Sequence, residues 1–359
     1  MTRSIGALCI FFLSACRQGR DSSTCAIDVI KKVQLGREIE DGGFAERPAV
    51  SPLVGGGSYI VTVPFQSGEL AARFDTAGHF LGRIGAEGEG PGEYRLPLNA
   101  TPYRADSILL FDIGTRRISV LDKDGRFARS IPVSRSVLNI LTMSDGSMIV
   151  STTGYTRGMP LARYAATGKL LAEFGFDSPA VKPTPLDRWV GASQGDTVWV
   201  ASFSVPAYHL ERWDANGRKL GELNPVRAWF PPETERRNIT PTAPPLPAIQ
   251  SLWEDDNRRL WVLILVADSQ WAQGLGPESP GEGGLKFYPL RDLDQVFDAM
   301  IEVLDSKTGE ALYSRRFDTP LFHMGPGMGY SIEENSDGWK TATVYDIGLS
   351  PACEVPGSH

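Results

Sequence analysis

The 359-residue chain carries 43 Asp and Glu side chains against 36 Lys and Arg, for a net charge of −7. This acidic balance argues against nucleic-acid binding and against electrostatic attachment to anionic lipid, because both need a basic surface. The hydrophobic content of 42% is enough for a substantial buried core. The 38 Gly and 26 Pro residues favour many turns over long helices.

The first fifteen residues are typical of an export signal. Arg3 precedes an eleven-residue apolar run that is too short for a permanent transmembrane helix. The run ends in Leu-Ser-Ala-Cys16, which resembles a bacterial lipobox, in which the Cys is acylated and becomes the new N-terminus. We therefore predict a signal peptide at 1–15, a lipid on Cys16 and a polar tether at 16–24. An ordinary secretory signal is the alternative; if Cys16 is acylated, Arg17 after it favours the outer membrane.

Five later stretches share one pattern, an alternating apolar strand, a tight turn with a single Gly, and a second strand. Their marker glycines are Gly78, Gly125, Gly168, Gly217 and Gly309, with spacings of 47, 43, 49 and 92 residues. A period in the forties built from hairpins is typical of β-propeller blades. The last spacing is about twice the others, which indicates one period stretched by two insertions.

The predicted fold is all-β, a six-bladed β-propeller over residues 25–359 with insertions at about 226–247 and 268–296. Each blade is expected to have four antiparallel strands, named A to D from the centre outwards. The strand at Trp339–Ser350 has no partner after it, and the strand at Ala26–Gly36 has none before it. We predict that the N-terminal strand completes the last blade.

This closure brings the two remaining cysteines together. Cys25 and Cys353 would meet where every other blade has the turn between strands C and D. An even pair of cysteines in an exported protein favours a disulfide, which here would close the ring. Two free thiols are the alternative.

Antiparallel order sorts the loops into two faces. The A–B and C–D turns lie on one face, named here the plain face. The B–C loops and the connections from D to the next A lie on the other, the elaborated face, which receives all the long segments (86–98, 153–160, 226–247 and 268–296). Loops on a rigid scaffold commonly carry binding residues, so we predict recognition on the elaborated face.

Aromatic and arginine side chains are frequent at recognition surfaces. Packing of the insertions onto the ring is the alternative role for the aromatic ones. The candidate contact residues on or near the elaborated face are Arg116, Arg117, Tyr155, Arg157, Tyr208, Trp229, Arg236, Arg237, Trp271, Tyr288 and Arg291.

The strand–DxxG–strand hairpins, together with AEGEGPGEYRLP at 86–97, resemble the NHL-like six-bladed β-propeller lipoproteins of bacteria. The resemblance covers the mature chain and implies the propeller fold without implying an activity. Its most specific segment also offers three carboxylates, Glu87, Glu89 and Glu93, as candidate ligands for Ca²⁺. The alternative role of this segment is structural, as a connection between two blades whose Gly and Pro residues adopt turn conformations.

Two further patterns bear on catalysis. Residues 191–195 match Gly-x-Ser-x-Gly, but a strand rather than a helix follows, so Ser193 is not predicted to be a nucleophile. Of the four histidines, only His209 and His323 could approach the elaborated face or the axial channel. A metal-dependent enzyme would need at least three His, Asp, Glu or Asn side chains around that channel.

The sequence thus predicts a monomeric, lipid-anchored, extracytoplasmic propeller that acts as a binding or scaffold module, with a protein or small ligand on the elaborated face and no cofactor. A propeller lyase or lactonase-type hydrolase with a metal in the channel is one alternative. A glycan or peptide binder of an outer-membrane system is another.

Overall fold

A computed structural model describes most of the chain after residue 24. The helices in this part are short, and none is long and apolar enough to cross a membrane. The described residues are 25–40, 42–52, 57–64, 68–104, 106–133, 137–152, 159–175, 188–202, 208–231, 238–281 and 286–353.

Strands dominate the described part of the chain. The short helices are two 3₁₀ turns (Trp271–Gly274 and Pro351–Cys353) and one α-helical turn, α1 (Leu293–Val296). In chain order the first strands are β1 (Ile27–Leu35), β2 (Ala49–Pro52), β3 (Tyr59–Thr62), β4 (Ala72–Phe74), β5 (Phe80–Arg83), β6 (Ala86–Glu87), β7 (Glu93–Tyr94), β8 (Pro97–Tyr103), β9 (Ser107–Asp112), β10 (Arg117–Asp122), β11 (Phe127–Pro132), β12 (Val137–Thr142), β13 (Met148–Thr152) and β14 (Leu161–Tyr164). The later strands are β15 (Leu170–Phe174), β16 (Arg188–Ala192), β17 (Thr197–Ser202), β18 (Leu210–Asp214), β19 (Lys219–Leu223), β20 (Ala248–Glu254), β21 (Arg259–Ala267), β22 (Ser279–Pro280), β23 (Lys286–Phe287), β24 (Phe297–Asp305), β25 (Ala311–Phe317), β26 (Phe322–Gly325), β27 (Met328–Glu334) and β28 (Lys340–Leu349).

Six four-stranded antiparallel sheets form a ring, which confirms the predicted six-bladed propeller. Their strand orders are β2-β3-β4-β5, β8-β9-β10-β11, β12-β13-β14-β15, β16-β17-β18-β19, β20-β21-β24-β25 and β26-β27-β28-β1. Each innermost strand lies beside the innermost strands of the two flanking blades. The insertion in blade five, between β21 and β24, contains the β22–β23 ribbon, the first 3₁₀ turn and α1.

The last blade closes the ring as predicted. Its outer strand β1 pairs antiparallel with β28, from Ile27 opposite Leu349 to Leu35 opposite Ala342. Cys25 and Cys353 form a disulfide beside this pairing, with Cα atoms 4.6 Å apart. The predicted pairing of the two chain ends and the predicted disulfide are both confirmed.

The core lies between blades, and this explains the apolar pattern of the middle strands. Because each sheet is covered on both faces by its neighbours, a middle strand such as β21 is buried almost throughout instead of alternating. One cluster of buried side chains fills each interface between adjacent blades. Outer strands such as β25 are mostly exposed.

The marker glycines close the C–D turns. In blade two, the Asp122 Oδ1 atom accepts hydrogen bonds from the backbone N–H groups of Asp124 and Arg126, each at 2.9 Å. Gly125 in this turn has a φ of 80°, which an L side chain rarely adopts. The carboxylate and the glycine together set the hairpin geometry.

Gly191 in β16 marks a close approach between blades four and five. A Cβ atom there would overlap the carbonyl oxygen of Leu252 in β20. We expect Gly191→Ala to lower the free energy of unfolding by about 2–3 kcal/mol, as overpacking does in a tight core. Urea denaturation measures this loss.

Gly221 in β19 is the matched control for Gly191, because it lies in a strand of the same blade and an added Cβ there would meet nothing within 4 Å. Gly221→Ala should be neutral or stabilise by up to about 1 kcal/mol. Equal effects at the two positions would contradict the proposed close approach.

Candidate functional site

The two long insertions of the elaborated face are folded against each other and the ring. Trp271, Leu275 and Leu290 of the blade-five insertion pack with Ile239 of the connection between blades four and five. The Trp271 indole N–H donates to the carbonyl of Thr240, 3.2 Å away. In the described residues, therefore, these segments form an ordered surface.

A pocket of about 200 Å³ opens on this face between blades four and five. One wall is the Pro-rich connection with Trp229, and the other is made of the elaborated-face ends of strands in blade five. The lining residues are Trp229, Pro231, Pro244, Pro245, Leu246, Pro247, Val266, Ala267, Met300 and Arg316. The lining is mainly apolar, with four prolines and one aromatic residue, Trp229.

An ion pair lies at the polar edge of the pocket. The Arg316 Nε atom donates to the Asp298 Oδ2 atom at 2.6 Å, and Nη2 donates to the carbonyl of Ala267 at 2.7 Å. Asp298 is buried, and its Oδ1 atom has no hydrogen-bond partner among the described residues. Burial raises the pKa of Asp298, and Arg316 opposes that shift. Since the pair is mutually neutralised, the pocket offers an apolar wall rather than a strong charge.

A second polar group supports the pocket from below. The Tyr208 hydroxyl donates to Glu302 Oε2 at 2.6 Å, and the Arg227 Nε atom donates to Glu302 Oε1 at 2.8 Å. Burial and the nearby Glu302 charge raise the pKa of Tyr208 well above its usual value, so its hydroxyl stays protonated and donates. Tyr208 also stacks on Phe230, with ring centroids 5.0 Å apart, beside Trp229. These contacts hold Trp229 in the pocket wall.

A titratable cluster lies on blade four at the same end of the ring. The His209 Nδ1 atom lies 2.6 Å from Asn224 Oδ1, and Nε2 lies 3.1 Å from Glu211 Oε1. Burial would raise the pKa of Glu211, but the His209 hydrogen bond and the charges of Arg188 and Lys219 lower it to about 2. The Glu211 hydrogen bond raises the pKa of His209, against its burial.

This cluster predicts a stability maximum in mildly acidic solution. Because the pKa of Glu211 is lower in the folded state than in the unfolded state, Glu211 stabilises the fold above its unfolded pKa of 4.5. This contribution to the free energy of unfolding falls by about 3 kcal/mol as the pH falls towards 2. The raised pKa of His209 gives stability that is complete below 6.5 and is lost as pH rises through its folded value. Urea unfolding from pH 2 to 9 measures both limbs.

Glu211→Gln removes the carboxylate and is the test variant for this pH dependence. In this variant the free energy of unfolding should no longer show the decrease below pH 4.5 that Glu211 causes. The decrease that His209 causes above pH 6.5 should become smaller. An acid limb of unchanged size in the variant would assign the acid sensitivity to other groups.

The structure gives the predicted contact residues different surroundings. Trp229 lines the pocket, whereas Tyr208 is buried beneath it. Trp271 packs inside the insertion cluster, and the Tyr288 hydroxyl donates to Glu278 at 3.1 Å. Arg116 and Arg291 are exposed, on a B–C loop and on the insertion. Four other candidates, Tyr155, Arg157, Arg236 and Arg237, lie outside the described residues, as does Cys16.

The acidic loop between blades one and two is held by Arg117. Its guanidinium donates to the carbonyls of Glu89 and Gly90, at 2.7 and 2.6 Å, and to that of Glu93. The Glu89 carboxylate pairs with Arg95 at 2.9 Å, and the Glu93 carboxylate accepts from the N–H of Gly90 at 2.7 Å. These contacts support the structural role of the loop, as a fixed connection between blades one and two.

Glu87, Glu89 and Glu93 do not converge as the proposed Ca²⁺ ligands would. Among the described residues no group of three or more His, Cys, Asp or Glu side chains is placed to hold a metal ion. The side chain of His323 lies outside the described part of the chain. The described residues thus provide no donor set for the metal-dependent alternative.

Ser193 has a structural partner on the plain face. Its hydroxyl donates to the buried carboxylate of Glu254, which also accepts from the Trp199 indole at 3.2 Å and from the Ser306 hydroxyl at 3.1 Å. Burial alone would raise the pKa of Glu254, but these hydrogen bonds lower it. Glu254 therefore links blades four and five, and the Gly-x-Ser-x-Gly match forms part of that link.

Sequence reasoning missed most of the blade-five side of the pocket. Val266, Ala267 and Met300 look like core residues in apolar strands. The available signal was a pair of acids, Asp298 and Glu302, inside the strand FDAMIEVLD, whose other interior residues are all apolar. Buried acids in such a strand need partners, and those partners border or support the pocket.

Comparisons with known proteins show the fold. No family model matches the sequence, and no curated protein matches it. The resemblance to NHL-like lipoproteins therefore stays a prediction. Similar solved structures include a member of the DUF4221 family from Bacteroides vulgatus, with a TM-score of 0.59 and 11% identity over 90% of this chain and 99% of that one.

Two further solved structures share the ring. A protein from Bacteroides fragilis designated as exported has a TM-score of 0.52 and 10% identity, over 92% of this chain and 97% of that one. A luciferin-regenerating enzyme has a TM-score of 0.51 and 11% identity, over 90% of this chain and 95% of that one. At such identities the likeness supports the β-propeller scaffold alone.

Proposed function

We propose that the chain is a lipid-anchored extracytoplasmic binding module whose pocket between blades four and five receives a small molecule or a side chain of a protein partner. The anchor is the acylated Cys16, and the compartment is the space beyond the inner membrane, with the outer membrane as the site of attachment. The exported designation of the Bacteroides fragilis neighbour agrees with this location. So does the Cys25–Cys353 disulfide, because disulfides persist in oxidising compartments.

The pocket itself is the observation that carries the proposal. It lies on the face that received both insertions, and its walls come from the connection between blades four and five and from blade five itself. Its volume of about 200 Å³ is several times the roughly 30 Å³ that a water molecule occupies in the liquid. An apolar group with a few polar atoms fits such a wall better than a multiply charged ion does.

Pocket filling tests this proposal. Ala267→Trp places an indole in the pocket, whereas Ala128→Trp places one on the exposed outer strand β11 as the matched control. Ligand-observed NMR with a library of small aromatic and aliphatic fragments should find fragments that bind the native protein and the control. The same fragments should lose binding to Ala267→Trp, with its circular dichroism unchanged. Equal binding to all three proteins would contradict a site in this pocket.

A further inference from the structure

The polar edge of the pocket is built on one face of the blade-five sheet. Val266 in β21 lies opposite Asp298 in β24, and Met300 in β24 lies opposite Arg316 in β25. Side chains at directly opposite positions share a face of the sheet, as do side chains two residues apart in one strand. Val266, Met300 and Arg316 line the pocket. The Asp298 carboxylate therefore lies on the pocket side of the sheet, among lining residues.

One oxygen of this carboxylate has no partner. The Arg316 Nε atom donates to Asp298 Oδ2, whereas Oδ1 accepts no hydrogen bond from the described residues. Asp298 is only 3% exposed, and its burial raises its pKa by more than Arg316 lowers it. The guanidinium thus offsets only part of the cost of burying this charge. A further positive group with a hydrogen to donate would stabilise it.

Carboxylates outnumber cations at this end of the pocket. Asp268 directly follows the lining residue Ala267, and Asp318 comes two residues after Arg316. Both carboxylates are close enough for their charges to raise the pKa of Asp298. Arg316 is the only cationic side chain among the described lining residues. The ion pair has no net charge of its own, but the two additional acids leave this edge negative.

The opposite wall also suits a positive group with an apolar body. Trp229 lines this wall, and tryptophan is the side chain that attracts a cation most strongly to its ring face. Its ring is held by Tyr208 and Phe230, with ring centroids 6.2 and 5.8 Å away. Four prolines make the rest of the wall apolar. The described residues include no group of acids placed to hold a metal ion, which favours an organic cation.

We propose that the ligand of this pocket is a small ammonium compound, an amine with an apolar body whose positive charge is balanced by Asp268, Asp298 and Asp318. This names the ligand class of the binding function proposed above and rests on that function. A carboxylate ligand would be repelled by the three acids, and a neutral ligand would leave their charge uncompensated.

Three probes with the same phenylethyl body and different charges test the ligand class. They are phenethylammonium, phenethyl alcohol and hydrocinnamate. In ligand-observed NMR titrations of the full chain, phenethylammonium should bind about tenfold more tightly than the alcohol, and hydrocinnamate should bind most weakly. The preference should shrink as the ionic strength rises, because salt screens the attraction. Equal binding of the ammonium and the alcohol, or tightest binding of hydrocinnamate, would overturn the proposal.

Variants of the acids show whether their charges cause the preference. Asp298→Asn keeps the shape of the side chain and should lower the affinity for phenethylammonium by about tenfold, with little change for phenethyl alcohol. The double variant Asp268→Asn with Asp318→Asn changes less buried positions, so it tests the same attraction even if Asp298→Asn fails to fold. Its expected loss is about two- to fivefold.

Asp106→Asn is the matched control for these variants. Asp106 is exposed in the A–B turn of blade two, across the ring from blade five, so its replacement removes one carboxylate without touching the pocket. The control should bind phenethylammonium as the native protein does. Unchanged affinity in the double variant, or an equal loss in the control, would contradict a role for the three acids.

The probes also separate this inference from the proposed function. Binding of all three probes with equal affinity, lost in Ala267→Trp, would keep the pocket as a binding site and overturn the ammonium class alone. Failure of the probes and of the whole fragment library to bind would overturn both. Tighter binding of N-acetyl-lysine amide than of phenethylammonium would support the same chemistry and assign it to a lysine side chain of a protein partner rather than to a free amine.

Discussion

Replacing Cys25 and Cys353 together by Ser should lower the free energy of unfolding by about 4–5 kcal/mol, the upper end of what a disulfide contributes. The bond joins residues 328 positions apart, so it restricts almost the whole unfolded chain. It also holds the edge where β1 joins β28, the pairing that closes the ring. Urea denaturation under non-oxidising and oxidising conditions measures the loss.

The single replacements Cys25→Ser and Cys353→Ser are the controls. Each breaks the same bond, so each should cost about as much as the double replacement, and the two effects should not add. Reduction of the native protein should give the same loss. Additive single effects, or a loss below about 1 kcal/mol, would show that the β1–β28 pairing closes the ring without help from the covalent bond.

The ring was predictable because its signals are local and repeat. Gly125 and its counterparts mark turns that need positive φ, and the alternating strands beside them mark hairpins. The closure followed from topology, since one unpaired strand at each end can complete a single sheet. The two cysteines then had one place to meet.

The pocket was only partly predictable, because it depends on contacts between blades. Long loops on one face pointed to the correct surface, and Trp229 was among the candidates. The blade-five wall comes from strand ends such as Met300, whose sequence pattern matches ordinary core. Sequence also cannot show that a nearby guanidinium is already engaged, as Arg117 is by three backbone carbonyls of the acidic loop.

The two buried acids in β24 show how an exception to a pattern is informative. Asp298 and Glu302 interrupt an apolar strand. Asp298 is paired with Arg316 of the same blade, and Glu302 with Arg227 of the connection between blades four and five. A buried acid without such a partner would be strongly destabilising. Asp298 therefore marks the polar edge of the pocket, and Glu302 holds the residues beneath it. Neither was among the predicted contact residues.

Arg227→Met should lower the free energy of unfolding by about 3–5 kcal/mol, the cost of removing one partner from a buried ion pair. The Glu302 side chain is 2% exposed, so the variant would leave its carboxylate buried with Tyr208 as its remaining side-chain donor among the described residues. Because Tyr208 packs against Trp229, which lines the pocket, fragment binding should weaken as well. Urea denaturation and ligand-observed NMR measure the two effects.

Two variants show whether the loss comes from the unpaired charge. Arg129 lies exposed on the outer strand β11, so Arg129→Met should change stability by no more than about 0.5 kcal/mol. Combining Arg227→Met with Glu302→Leu removes both charges and should recover much of the stability lost in Arg227→Met, since an apolar pair of similar size avoids the buried carboxylate. A double variant less stable than Arg227→Met would show instead that loss of the Glu302 acceptor, which leaves the buried Tyr208 hydroxyl without this hydrogen bond, costs more than the unpaired carboxylate does.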